Sequence, residues 1–247
     1  MKLVVPILFG VVCLLYGCAM PVPEGPAPVP GGAAAAPEPL DLWQPCDADG
    51  AERLRLAAAE DANAALRGAA CYAYLVEQAG GDLKAAETGR RLAERAVTAF
   101  PASAEAHYLL AYLAGLEAQR NPVKALSLVT VIERQALAAF ALNPAVDEAG
   151  PARMLGDLYL RAPAFPVSIG DPALAIEYYE QAVEMAPDQS ENRLGYIDAL
   201  LTEERHGDAC GQLVEFWRRL SPGENPGGLW ERGLVLQGRL CEGFQEN

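Results

Sequence analysis

Residues 155–188, LGDLYLRAPAFPVSIGDPALAIEYYEQAVEMAPD, constrain the chain more than any other stretch. Apolar or small residues at Ala175, Tyr178, Tyr179, Ala182, Val183 and Ala186 recur at steps of three and four, the signature of one stripe along an α-helix. Asp171 is placed to cap this helix, Pro172 is tolerated in its first turn, and Pro187 lies past its end. A helix of similar character precedes it and stops near Arg161. Between the two runs a loop, Pro163 to Ile169, that carries Phe165, Val167 and Ile169. Two helices with one apolar stripe each cannot bury all of that surface against one another, so the pair requires neighbours of its own kind.

The rest of the chain supplies them. Four predicted helices end against a proline, at Phe100-Pro101, Asn143-Pro144, Ala186-Pro187 and Ser221-Pro222, at intervals of 43, 43 and 35 residues. In the third unit Leu155, Gly156 and Tyr159 stand on the first helix, and Ala175, Tyr179 and Ala182 precede Pro187 on the second. The order L-G-x-x-Y, then A-x-x-x-Y-x-x-A-x-x-x-x-P, is similar to the tetratricopeptide pattern, whose period is about 34. Small residues let paired helices approach, and the tyrosines fill the gaps between them. Gly156 and Ala175 are 19 apart where that pattern has about 12, which makes the apolar loop an insertion. The other units are degenerate: Ala96 and Ala139 each stand five residues before a proline, and His107-Tyr108-Leu109-Leu110-Ala111 resembles a first-helix signature. Alanine and leucine dominate and strand formers are thin. The expected fold is all-α, a short right-handed solenoid of irregular tetratricopeptide-like helix pairs. Expected helices cover 51–78, with a break at Arg67-Gly68, then 83–100, 104–119, a run to 142, 148–161, 172–186 and 190–204. A turn at His206-Gly207-Asp208 precedes one to 220, and a last helix covers 229–242.

The N-terminus is an address. Lys2 precedes an apolar run, Leu3 to Leu15, too short to span a bilayer comfortably. It ends in Leu15-Tyr16-Gly17-Cys18, which resembles the lipobox of bacterial lipoproteins: an aliphatic residue, a small residue, then the cysteine that is acylated and becomes the mature N-terminus. Residues 1–17 are the expected signal peptide. Residues 18–42 are the expected lipidated cysteine and a Pro/Ala-rich tether, whose composition cannot form a core. Residues 43–247 are the expected helical domain. Export, attachment to the membrane through lipid on Cys18, and a cell-envelope, periplasm-facing position follow as expectations. Ala19-Met20 after the cysteine lacks the aspartate linked to inner-membrane retention, which favours the outer membrane.

Chemistry is sparse. The formal net charge of −14 leaves no basic stripe for nucleic acid. The two histidines, His107 and His206, are far apart, and no C-x-x-C, phosphate loop or G-x-S-x-G elbow occurs. No catalytic residue, metal ligand or cofactor is assigned, and the chain reads as a non-enzyme. Of six cysteines, Cys13 leaves with the signal peptide and Cys18 carries lipid. Cys210 begins one predicted helix and Cys241 ends the next, almost equidistant from a turn near Asn225; in an antiparallel pair they face one another, and a Cys210–Cys241 disulfide is expected. Cys46 and Cys71 remain as a second pair, which one unbroken helix between them would hold apart. The aromatic residues read first as core. As the lining of a ligand or partner site, the candidates are Tyr108, Tyr112, Phe165, Val167, Ile169 and Tyr178.

A lipobox, a proline-rich tether and irregular tetratricopeptide units centred on residues 155–188 together resemble the T component associated with TRAP transporters, over most of the chain after Ala51. The resemblance implies a lipid-anchored periplasmic α-helical protein, a cavity for a hydrophobic small ligand, and association with the solute-binding protein of the transporter. Self-association stays open. The alternative is a tetratricopeptide adaptor that holds cell-envelope assembly or secretion proteins together.

Overall fold

A computed structural model describes residues 36–78, 80, 82–220 and 228–240. The expected signal peptide, Cys18, the tether up to residue 35 and Cys241 lie outside the described residues. Among those described there are ten α-helices: α1 (Ala48–Ala57), α2 (Ala62–Gln78), α3 (Leu83–Ala99), α4 (Ala104–Arg120), α5 (Pro122–Leu142), α6 (Gly150–Arg161), α7 (Pro172–Met185), α8 (Ser190–Thr202), α9 (His206–Arg219) and α10 (Leu229–Leu240). Extended pairing among them is confined to an isolated bridge between Ala164 and Gly170.

Local chemistry sets the ends. Asp47, Asp82, Ser103 and Asp171 each accept a bond from a backbone amide three residues on, satisfying one of the free donors of the first turn. The prolines stop three helices in one way. A residue before proline is pushed out of the α region, and Phe100, Asn143 and Ala186 turn out at ψ 66°, 97° and 74°. Each still donates its N–H to an alanine carbonyl four residues back, Ala96, Ala139 and Ala182, at 2.8, 2.9 and 2.9 Å. Those three alanines are fully buried. The 43-residue interval in the sequence is therefore a structural repeat.

Each helix packs against its neighbours in the chain, and the substantial contacts between next-but-one helices all join even-numbered ones: α2 with α4, α4 with α6, α6 with α8, α8 with α10. Even helices thus form one continuous layer and odd helices the other. This is the all-α solenoid of helix pairs that the repeat implied. The core runs along it in two main clusters, one around Leu66, Leu92, Leu109 and Leu113, the other around Leu155, Tyr179, Leu194, Ile197 and Phe216, with Val131 packed against both. Helix α5 is long and apolar enough to cross a membrane by length and composition alone. Here it lies between α4 and α6, with Leu128, Ile132, Ala136 and Ala139 buried and Val123, Leu126 and Leu137 exposed.

Two boundaries differ from the sequence reading. The break in the first helical run falls at residues 58–61 instead of Arg67-Gly68. Gly68 lies inside α2 against α3, where an added Cβ would sit 2.9 Å from Leu92 Cδ1. His206-Gly207-Asp208 is the first turn of α9, and Glu204, at φ 57°, makes the bend before it.

Candidate functional site

Helix α5 ends at Asn143, and the chain reaches α6 through a turn in which Asp147, Glu148 and Ala149 have φ of 50°, 52° and 68°. Three successive non-glycine residues in the left-handed region cost roughly 1–2 kcal/mol each, so something must hold them. The holders come from α6 and α8. Arg153 donates to the backbone carbonyls of Asp147 and Glu148 at 3.3 and 3.4 Å and to the Asp147 carboxylate at 2.6 Å. It also donates to Asn192 Oδ1 at 2.7 Å and lies 3.9 Å from the Glu191 carboxylate. Asn192, fully buried, donates to the carbonyls of Glu148 and Ala182 at 3.0 and 3.2 Å. The turn is over-determined by buried groups, the condition under which such strain persists.

Asp147 is the hub. Besides Arg153 it accepts the Tyr108 hydroxyl of α4 and, at 2.6 Å, the indole Nε1–H of Trp43. Burial pushes the Tyr108 hydroxyl well above the ordinary tyrosine range, and the Asp147 carboxylate adds to this, so the phenol remains a donor. Gly150 makes room for its ring: a Cβ there would lie 2.8 Å from Tyr108. Tyr112, one turn along α4, stacks obliquely on Tyr108 at 5.9 Å and meets Trp43 edge-on at 5.4 Å. One carboxylate thus ties α4, α6 and the segment ahead of α1. The sequence pointed to Tyr108 and Tyr112 but not to Trp43 or Asp147. The one available signal was a tryptophan beside a proline-rich segment.

Residues 38–43 are part of the folded unit. Leu40, Leu42 and Trp43 pack on the core, and the Glu38 amide donates to Asn63 Oδ1 at 3.0 Å. Cys46 is bonded to Cys71, with Cα atoms 5.5 Å apart. The bend at 58–61 makes this bond attainable, because α1 folds back on α2 and returns Cys46 to the middle of that helix. Cys210 is also disulfide-bonded; its expected partner, Cys241, is outside the described residues.

The other predicted residues fall elsewhere. Tyr178 stacks on Tyr159 at 5.7 Å and meets Phe140 edge-on at 6.1 Å, while Tyr159 donates to Glu133 at 2.7 Å. Ile169 packs against the core, but Phe165 and Val167 are 87% and 66% exposed. Their loop is rigidly built: Gly170 N–H bonds Pro163 O at 2.9 Å, Val167 N–H bonds Ala164 O at 3.1 Å, and a Cβ at Gly170 would lie 2.1 Å from Ala162 O. Tyr108 and Tyr112 thus stand beside Asp147, Tyr178 beside Tyr159 and Phe140, and Phe165, Val167 and Ile169 on the loop between α6 and α7. Of the repeat residues, Leu155, Gly156, Tyr159, Ala175, Tyr179 and Ala182 are buried, and Pro187 follows the α7 cap. His107 bridges Gln135 Oε1 of α5 and Pro101 O, and His206 is exposed at the start of α9. No cluster of three potential metal ligands occurs among the described residues. A groove of about 770 Å³ beside α1 and α3 is lined by charged groups, among them Glu52, Arg55, Lys84 and Arg95, together with Ala58, Tyr72 and Leu92.

No family model matches the sequence, and no curated protein matches it. Among solved structures it is similar to YrrB, described as a TPR protein with an unusual peptide-binding site, with a TM-score of 0.49 at 16% identity over 76% of this chain and 84% of that chain.

Proposed function

We propose that the chain is a lipid-anchored, periplasm-facing repeat scaffold whose work is protein binding, and that it serves a TRAP-type transport system by engaging its solute-binding protein, with the outer membrane as its address. The observation that carries the binding role is the insertion loop. An internally hydrogen-bonded loop leaves Phe165 and Val167 in water, and large exposed apolar groups on a built support are suited to anchoring a partner. The lipobox at Cys18 and the resemblance of residues 155–188 supply the anchor and the transport context. The exposure of Phe165 and Val167 favours contact with a protein over carriage of a hydrophobic small ligand. It equally suits the second reading, an adaptor for envelope assembly or secretion.

The test is affinity capture with the mature protein and its Phe165→Asp variant, in cells fed a clickable fatty acid. The expected result is lipid label on the wild type that Cys18→Ser abolishes, and a solute-binding protein retained by the wild type and lost with the variant. Capture of assembly or secretion factors with no solute-binding protein selects the adaptor, and unlabelled protein removes the anchor.

A further inference from the structure

Residues 36–45 form an irregular strap over the layer of even-numbered helices, and its two ends are held very differently. After residue 45 it is covalently bound to α2 through Cys46–Cys71. At the other end the holds are the Glu38 amide on Asn63 and a Glu38–Arg67 ion pair at 2.5 Å, with the two side chains 65% and 41% exposed. An exposed pair of this kind contributes roughly 0–1 kcal/mol. What keeps the strap down is therefore its apolar side chains, Leu40, Leu42 and Trp43. The groups that form the slot around Trp43 also hold one another. Tyr108 and Arg153 both bond Asp147, Asn192 positions Arg153, and Tyr112 stands against Tyr108. An aromatic wall with a fixed carboxylate at its end offers an indole both of the contacts it needs, a π edge and an acceptor for its N–H. Because these groups are already ordered, an indole that enters the slot loses little to rearrangement.

We propose that this slot is a recognition site for a tryptophan carried on an extended segment of a partner protein, and that the strap is its resident occupant, displaced when the partner binds. The inference rests on the protein-binding reading above and not on the identity of the partner. The occupant is named by the structure: Trp43 already makes the contacts that a partner's tryptophan would make. Displacement needs no broken covalent bond, since Trp43 lies on the N-terminal side of Cys46. The short span from Cys46 gives the strap a local concentration on the order of millimolar. A competing segment must exceed that, so the strap sets an affinity threshold for partners. It also links the site to the N-terminal segment, which leaves the strap at residue 36.

The test uses the purified mature protein and a fluorescent peptide of residues 36–45, APEPLDLWQP, read by anisotropy. Trp43→Ala empties the slot, and Glu38→Arg sets like charges against Arg67 and loosens the strap while leaving the slot intact. The expected result is at least tenfold tighter binding to Trp43→Ala than to the wild type, intermediate binding to Glu38→Arg, and no binding of a peptide with alanine for tryptophan. Circular dichroism checks that the variants retain helix; if Trp43→Ala does not, Glu38→Arg carries the comparison. Equal affinity of the peptide for wild type and variants, or binding of the alanine peptide as strong as that of the tryptophan peptide, overturns the proposal. If the peptide fails while a solute-binding protein is captured, the slot assignment falls and the scaffold reading stands. If the peptide binds and no such protein is captured, the slot stands and the transport assignment falls.

Discussion

Tyr179 shows how closely the two layers depend on missing methyl groups. Its ring enters between α6 and α8, and a Cβ on Gly156 or Gly195 would meet it at 2.7 and 2.2 Å. Both glycines lie inside helices, where glycine is worse than alanine by about 1 kcal/mol. That cost is accepted because Tyr179, buried to 1% exposure, has nowhere else to go. Gly195→Ala sets the helix gain against an overlap that must displace a ring, and overpacking costs typically 1–3 kcal/mol or more. We expect a net loss of about 2 kcal/mol in urea unfolding. Gly115→Ala is the counterpart: it is inside α4 with nothing within 4 Å of an added Cβ. It should raise stability by about 0.5–1 kcal/mol. If both substitutions move stability in the same direction, the packing account of Gly195 is wrong. Gly156 and Tyr179 were legible in the sequence because they sit on the repeat pattern. Gly195 was not: Leu194-Gly195 repeats Leu155-Gly156, but Asp198 stands where Tyr159 does in the earlier unit.

Between elements, the joints that the sequence pattern did not reveal are polar. Glu117, near the end of α4, is completely buried; its carboxylate receives Arg90 of α3 at 2.6 Å and Lys124 of α5 at 3.2 Å. Lys124 also reaches Glu87 of α3 at 2.9 Å, and that hydrogen bond holds the Glu87 carboxyl below its ordinary range. The two cations are not equivalent. Arg90 is largely covered, at 18% side-chain exposure, whereas Lys124 is 47% exposed. Removing one partner of a buried pair costs about 3–5 kcal/mol, and an exposed pair contributes under about 1 kcal/mol. Glu117→Ala should therefore destabilise the protein by about 3 kcal/mol, the lower figure because Arg90 keeps Glu94 as a partner. Lys124→Ala should cost less than about 1 kcal/mol. Chemical denaturation of the two variants decides this, and a larger loss for Lys124→Ala would refute the ranking. Helices and their proline stops were legible because periodicity and capping are local. The Glu117 cluster and the Asp147 hub were not, because each joins residues from three or more segments, and nothing in a single acidic residue announces which cations the fold will bring to it. The first helix break was misplaced for a related reason. Gly68 looks like a breaker in the sequence, but it lies inside α2 where that helix closes on Leu92 of α3.

At the scale of the whole molecule, a solenoid is held by contacts between neighbours, so its ends are its weak points. Helix α1 packs on α2, and Arg95 of α3 donates to the carbonyls of Ala58 and Ala59 just past its end. In the C-terminal region α10 rests on α9 and α8. Disulfide bonding is found in both regions: Cys46–Cys71, joining the segment before α1 to α2, and Cys210 in α9. Nearest-neighbour coupling implies that a bond of this kind stabilises chiefly the repeat that contains it. The first closes a separation of 25 residues, for which the loss of unfolded-state entropy is about 3.5 kcal/mol as an upper figure. Hydrogen exchange on the oxidised and reduced protein tests the idea directly. Reduction should speed exchange in α1, α2 and α9 and leave α4 to α7 at their oxidised rates. Cys46→Ser should reproduce the N-terminal part alone and, by loosening the strap at its covalent end, should also quench or shift Trp43 fluorescence. If reduction instead raises exchange equally in all helices, the chain unfolds as one cooperative unit and the bonds act on the whole. If Cys46→Ser leaves α1 and α2 protected, the apolar contacts of Leu40, Leu42 and Trp43 are enough to hold that end without the bond.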